Sequence, residues 1–398
     1  MSEYNLVQNL NSLKLLPSTW QVIDFNDLVS DNSGGNKKLA KSELLEIGEI
    51  AVVDQGKKLV AGYFDDPSIA VRTLPPYVIF GDHTRGFKYI DFPFVMGADG
   101  TKVLQPKNEY CNTKYLYYFF LTTNIPNTGY NRHFKYLKAL QIPLPPLDQQ
   151  KKIAAILDAA DAYRQKTKAL IEKYDELTQS LFLDMFGDPV TNPKGWENKT
   201  IESITIMEKG SIKRGPFGGA LKKEIFVEEG YLVYEQYHAL NNDFTFGRYF
   251  IDEAKFQELK GFEVKAGDII ISCSGVYLGK LAVVPQGAKP GIINQALLKV
   301  TLDQSIMTNH FFTFHFRQKN FRETFFDANR GAGIPNFPPM SSFKKFPFVV
   351  PPINLQKQFT KRVKAIEAQK AQAEASLAQA ENLFNSLLQR AFKGELTS

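Results

Sequence analysis

The sequence holds only two cysteines in 398 residues, Cys111 and Cys273. They are too few and too far apart for a disulfide scaffold or a zinc cluster. Five histidines (His83, His133, His238, His310, His315) form no His-Glu-x-x-His pair, so a histidine-held catalytic metal is not expected. No apolar run approaches the roughly 20 residues of a membrane span. The opening stretch MSEYNLVQNLNSLKLLPSTW lacks the basic and apolar regions of a signal peptide. These absences lead us to expect a reduced, cytoplasmic, metal-free protein. What is present is ordinary in bulk. An apolar fraction of 43% can fill real cores, and the length suits two or three domains. A net charge of +6 and a pI near 8.9 suit a polyanionic partner without requiring one.

The informative feature is an internal repeat. IPLPPLDQQKKIAAILDAADAYRQKTKALIEKYDELTQSLFLDMFGD, residues 142–188, aligns without gaps on FVVPPINLQKQFTKRVKAIEAQKAQAEASLAQAENLFNSLLQRAFKGEL, residues 348–396. Each opens on a Pro-Pro pair, Pro145-Pro146 or Pro351-Pro352, where proline ends a strand and starts a helix. In the first copy Ile153, Ile156, Ala160, Tyr163, Thr167, Leu170, Tyr174, Leu177 and Leu181 alternate three and four apart. The second carries Phe359, Val363, Ile366, Lys370, Ala373, Leu377, Ala380, Phe384 and Leu387. Both stripes are coiled-coil seams, and Gly187 and Gly394 stand where helices end. About 35 residues per helix gives a rod of about 50 Å. Such a rod cannot leave its apolar face in water, so the two copies are expected to pack antiparallel. Pro17-Ser18-Thr19-Trp20 and Pro193-Lys194-Gly195-Trp196 open each unit of the tandem.

The expected fold is therefore α+β: two mixed α/β domains separated and joined by two long antiparallel coiled-coil helices, with a pseudo-twofold repeat. The expected segments are an N-terminal piece (1–17), a first domain (18–141), a central helix (142–188), a second domain (189–348) and a C-terminal helix (349–398). Strand-like runs at Glu49–Val53, Tyr77–Phe80, Tyr231–Tyr234, Asp268–Cys273 and Leu281–Val284, with aromatic helices at Lys114–Leu121 and Asn309–Phe326, fill the two domains.

Basic and amide-bearing loops mark candidate contacts with nucleic acid. In the first domain they are Lys57; His83, Thr84, Arg85 and Lys88; and Arg132, His133, Lys135 and Lys138. The two histidines there are expected to be hydrogen-bonding surface residues, since no nucleophile or carboxylate pattern surrounds them. In the second domain they are Lys209, Ser211, Lys213, Arg214, Phe217 and Gly218, then Ser274 and Tyr277, Asn294 and Gln295, and Arg330. Glycine-rich cationic loops can grip phosphates, and Asn or Gln can bond an adenine edge. Each loop also reads as a plain solvated turn. No Gly-Lys-Ser/Thr follows the Lys209–Gly219 loop, so it is not a nucleotide-binding loop. Glu263-Val264-Lys265 with Asp252 is too short a match for a nuclease site, and Asn336-Phe337-Pro338-Pro339-Met340 has the wrong order for an adenine methyltransferase.

Taken in order, these motifs resemble the specificity (S) subunits of type I restriction-modification systems. The resemblance rests on Pro143–Gln150 with Ala154-Ala155-Ile156-Leu157, on Gly81-Asp82-His83-Thr84 and Gly97–Gly100, and on Gly215–Gly219, Gly267–Gly275 and Ile293-Asn294-Gln295. The second boundary, Val-Pro-Pro-Ile-Asn-Leu-Gln, departs slightly from the pattern. The resemblance implies a non-catalytic subunit whose two target-recognition domains each read half of a split, asymmetric double-stranded DNA site, the helices setting the spacer. It implies two methyltransferase subunits and restriction/translocase subunits as partners, with S-adenosylmethionine, ATP and Mg on those partners and no cofactor here. Rival readings are a stand-alone nuclease with a coiled-coil arm, which would cut DNA unaided, and a protein scaffold without salt-sensitive DNA affinity.

Overall fold

The computed structural model describes residues 16–129, 131–326 and 337–396; Arg330 and its loop lie outside them. The chain divides into two compact units, residues 1–170 with 373–398, and residues 171–372.

In the first unit the strands are β1 (Gln21–Asp24), β2 (Val29–Asp31), β3 (Lys38–Leu39), β4 (Ile50–Val53), β5 (Gly62–Phe64), β6 (Tyr77–Gly81), β7 (Phe87–Ile90), β8 (Phe94–Gly97), β9 (Thr101–Pro106) and β10 (Gln141–Leu144). They form an antiparallel sheet β2-β9-β6-β7, a second sheet β3-β8-β4-β5 and the pair β1-β10. Helix α1 (Thr113–Leu121) packs its aromatic face into a core with Val78, Phe80 and Leu104.

The second unit holds β11 (Glu197–Thr200), β12 (Ile212–Arg214), β13 (Tyr231–Tyr234), β14 (Phe250–Ile251), β15 (Glu263–Val264), β16 (Ile269–Ser272), β17 (Leu281–Val283), β18 (Gly291–Ile293), β19 (Leu297–Val300) and β20 (Pro347–Val350). Its sheets are β12-β19-β16-β17, β14-β13-β18-β15 and the pair β11-β20. The repeat therefore extends to the topology of all but one of these strands, although the contents of the two domains hardly match in sequence. Strands β4 and β8 run parallel as β13 and β18 do, while β5 and β14 pair antiparallel with β4 and β13. One strand differs: β3 precedes β4 and runs parallel to β8, whereas β15 follows β14 and runs antiparallel to β18. The aromatic helix expected over Asn309–Phe326 breaks at Gln318 into Asn309–Arg317 and Lys319–Phe325. The buried Gln318 takes extended backbone there, with its amide on the Phe314 carbonyl.

The two rods are helices α2 (Leu147–Phe186) and, numbering Asn309–Arg317 as α3, α4 (Ile353–Ala391). Ile142–Leu144 of the expected central helix belongs to β10 instead, because the Pro-Pro pair stops the strand first. In the first unit Arg164 lies over the Phe384 ring and Lys168 pairs with Glu381. In the second, Asp175 pairs with Lys370 and Phe182 meets Phe359 edge-on. In each unit, stepping up one helix steps down the other, so the pairing is antiparallel.

The C-terminal seam packs as its periodicity requires: Phe359, Val363, Ala373, Ala380 and Phe384 are buried, and Ile366, Leu377 and Leu387 are partly so. The first seam is corrected in alternate positions. Ile153 and Thr167 are buried and Ala160, Tyr174 and Leu181 are partly so, but Ile156, Tyr163, Leu170 and Leu177 are exposed. In place of those four the helix packs Leu157, Arg164, Ile171 and Thr178, each one residue further along, and ends on the buried Phe182. Two stripes one position apart compete in this sequence. The winning one hides polar groups such as Arg164, whose guanidinium lies over the Phe384 ring and pairs with Asp161.

One glutamine per copy joins rod to domain. The buried Gln150 accepts from the Asn112 amide and donates to the carbonyls of Tyr110 and Pro145. Gln356 accepts from the Thr308 amide and donates to the carbonyls of Ile306 and Pro351. Asn112 and Thr308 are the N-caps of α1 and α3, so each glutamine fixes the first turn of a rod against the start of the domain helix. The far ends repeat as well. Gly187 and Gly394 both take left-handed backbone, and a Cβ on them would stand 2.7 Å from Pro193 and 2.5 Å from Pro17. Each rod thus ends against a Pro-x-x-Trp cassette, and the last helix closes on the first cassette.

His315 carries a testable consequence of this core. It is buried in α3 among Phe311, Phe321 and Phe348, and its Nε2 accepts from the Val349 amide at 3.3 Å. Burial pushes its pKa down to about 3, against an ordinary 6.5, with Asp188 opposing. The unfolded chain binds a proton below pH 6.5 that the folded ring refuses. The stabilisation is therefore complete above that pH and drains away as the pH falls towards 3, by about 2 kcal/mol at pH 5. His315→Gln keeps an acceptor for Val349. Urea midpoints at pH 7.5 and pH 5 should differ less in this variant than in wild type by that amount; equal differences would contradict the assignment.

Candidate nucleic-acid interface

In the first domain four loops meet at one end of the two sheets. They follow β4 (Asp54–Lys58), β6 (Asp82–Gly86) and β8 (Ala98–Gly100), joined by Asn131–His133. The register sets this: Gly81 pairs with Thr101 and Val53 with Met96, so these strand ends share an edge. The Asp82 carboxylate accepts from the amides of His133 and Phe134, each at 2.7 Å, and draws the fourth loop in. Lys57, Thr84 and Arg132 are exposed at this edge, and His83 is half-buried.

Several expected contacts are not available there. His133 is buried, with Nδ1 at 2.9 Å from the Asp82 carbonyl and Nε2 at 3.3 Å from the Thr128 hydroxyl. It is a structural residue, corrected from a surface one, because the basic-aromatic run folds as a short helix docked on Asp82. Lys88 is a second correction. The alternation of β7 turns it inward, its Nζ donates to the Asp54 carbonyl at 2.7 Å, and burial lowers its pKa against the pull of Asp54. Arg85 is half-buried with its guanidinium on the Ile125 carbonyl. Lys135 and Lys138 are exposed but lie over the Tyr136 and Phe134 rings, where the chain turns back towards β10.

The second domain builds the same edge. Arg214 pairs with Leu298, Ser272 with Leu297 and Ile271 with Leu281, so the ends of β12 and β16 meet the start of β19. This convergence brings Arg214 to Phe217, Ser274 to Tyr277, and Asn294-Gln295 together. Gly215 makes it possible: a Cβ there would stand 1.8 Å from the Asn294 carbonyl oxygen, so no side chain fits. Phe217 is 70% exposed and Tyr277 51%, which is unusual for aromatic rings unless something covers them. Arg214 lies over the Phe217 ring at 5.4 Å, and Gln295 is exposed. The Asn294 side-chain oxygen is spent on the Ala296 amide, which removes half of the expected bidentate contact. Lys209 and Ser211 precede β12 and so sit at its opposite end, while Lys213 lies over Phe262 within the strand. Gly218 opens the short 3-10 helix Gly218–Leu221 that follows Phe217.

Sequence reading missed Gln236, which reaches Ser272 and Ser274 from the chain just after β13. Only the strand pairing reveals it. The acidic-basic decoy is also explained: Asp252 caps the helix Glu253–Glu258, and Glu263 lies in β15. Among the described residues no group of three or more His, Cys, Asp or Glu is placed to hold a metal, and no helix is long and apolar enough to cross a membrane. Cys111 and Cys273 are buried free thiols, each pushed up to about 12 by burial.

Comparison with known proteins bears on this geometry. Residues 17–173 match the family described as type I restriction modification DNA specificity domain. The MjaVIII type I restriction enzyme specificity subunit of Methanocaldococcus jannaschii is 22% identical over 380 residues, 88% of this chain and 87% of that protein. The MjaIX specificity subunit of the same organism is 25% identical over 289 residues, 62% of this chain and 64% of that one. The crystal structure of the type I restriction-modification S subunit from M. genitalium has the same fold, with a TM-score of 0.55 at 18% identity, covering 96% of this chain and 98% of that one. A structure described for complex assembly and conformational transition of the type I system matches with a TM-score of 0.56 at 15% identity, over 96% and 99%. Residues 17–173 thus match a type I restriction modification DNA specificity domain, and over most of its length the chain is similar to a type I specificity subunit and shares the fold of a solved S subunit.

Proposed function

We propose that the chain is the non-catalytic DNA-reading subunit of a type I complex, working in the cytoplasm on a bipartite, asymmetric site. Residues 18–141 read one half and 189–348 the other, while the two long helices set the unspecified spacer. The observation that carries this reading is the repeated loop edge. Two domains whose topology matches in all but one strand present different side chains at corresponding strand ends: Lys57, Thr84 and Arg132 in one, Phe217, Tyr277 and Gln295 in the other. Exposed cations there suit phosphates, and exposed amides and aromatics suit base edges and faces.

Two methyltransferase subunits dock on the repeated frame, and the exposed Ile156, Tyr163 and Leu170 on α2 offer one apolar row for such a partner. Restriction and translocase subunits complete the assembly. S-adenosylmethionine, ATP and Mg belong to those partners, with no cofactor on this chain.

The test is methylation mapping of host DNA with the chain present, absent, and carrying another family member's first domain in place of residues 18–141. A split motif should vanish without the chain and change in one half only with the exchange. A motif that persists without the chain, or changes in both halves, would sink the reading.

A further inference from the structure

The two domains share a device that their sequences do not advertise. Two residues past the end of β4 stands Gln55, and two residues past the end of β13 stands Gln236; an acid, Asp54 or Glu235, precedes each. Strands β4 and β13 hold the same place in the two folds. Gln55 accepts from the His83 amide at 3.1 Å and donates to the Asp99 carbonyl at 2.9 Å. Its own carbonyl takes the Thr84 hydroxyl at 2.7 Å. One residue thereby ties together the loops after β4, β6 and β8. Gln236 donates to the Ser272 hydroxyl at 2.8 Å, the Ser274 carbonyl at 2.9 Å and the Ser274 hydroxyl at 3.1 Å. It ties the segment after β13 to the loop after β16, the counterpart of β6.

We propose that Gln55 and Gln236 are paired positioning residues, each clamping the reading loops of its own domain in the geometry that recognises one DNA half-site. This rests on the DNA-reading function argued above. Neither side chain need touch a base. Each holds loops that carry candidate contacts, Thr84 in one domain and Ser274 with Tyr277 in the other, and loose loops forfeit discrimination before they forfeit stability. The two sheets hold the strands without these bonds, so the loss should fall on recognition.

The decisive variants are Gln55→Met and Gln236→Met, which keep side-chain length and remove the side-chain hydrogen bonds, leaving Thr84 on the Gln55 main-chain carbonyl. Each is assembled with the methyltransferase subunits of its host, and methylation is measured on duplexes carrying single substitutions in either half-site. Gln55→Met should lower discrimination about tenfold in the half-site read by the first domain and leave the other within about twofold. Gln236→Met should do the reverse. The unaffected half-site reports that the other unit is folded, and an unchanged urea midpoint of the mutated unit reports that it is folded too; a lowered midpoint there would overturn the clamp in favour of a purely structural role. If either variant leaves both half-sites unchanged, or weakens both equally, the clamp is wrong although the DNA-reading function stands. If the wild-type complex shows no bipartite preference, that function fails and the inference with it.

Discussion

Phe359→Ala should cost the second unit about 3–5 kcal/mol, read as a fall in its urea midpoint. Phe359 is fully buried on α4, and its ring meets Phe182, Phe186 and Phe314 edge-on, with centroids 5.2–5.7 Å away. Removing it leaves a ring-sized void where both long helices and α3 converge. Whole-domain stabilities are about 5–15 kcal/mol, so the loss is a large fraction of what holds the unit together. Leu177→Ala is the matched comparison, since Leu177 is 50% exposed on the same unit's part of α2. It should change stability by no more than about 0.5 kcal/mol. A large cost at Leu177 and a small one at Phe359 would mean that α2 packs on the stripe its heptads suggest rather than the one observed.

That contrast shows where the sequence was legible. The Pro-Pro openings, the terminating glycines and the C-terminal seam could be read directly, because proline, glycine and large apolar residues each act through short-range sterics or burial. The face of α2 could not. Where the two readings differ, the packed positions hold Arg164 and Thr178 and the exposed ones Ile156, Leu170 and Leu177; periodicity alone ranks the second set above the first.

The candidate site was half legible for a similar reason. Loops rich in glycine and cations mark the strand ends, so Lys57, Thr84, Arg132, Phe217 and Tyr277 were found. Which cations remain exposed depends on partners distant in sequence. Lys88 goes to Asp54, and His133 goes to Asp82 from 51 residues away. Lys209 misses the edge because β12 starts after it and runs towards the edge. The glutamine clamps are invisible without the strand order, since Gln236 meets Ser272 from 36 residues away.

The central claim is that the paired helices set the spacer while the domains set the half-sites. Inserting one heptad after residue 170 and another after residue 372 keeps the antiparallel seams in register on both sides of each insertion. It lengthens each helix by about 10 Å, equal to at most about three base pairs along the duplex. Methylation mapping with this doubly extended chain should return both half-sites unchanged, with a longer spacer between them. Altered half-sites around an unchanged spacer would contradict the account.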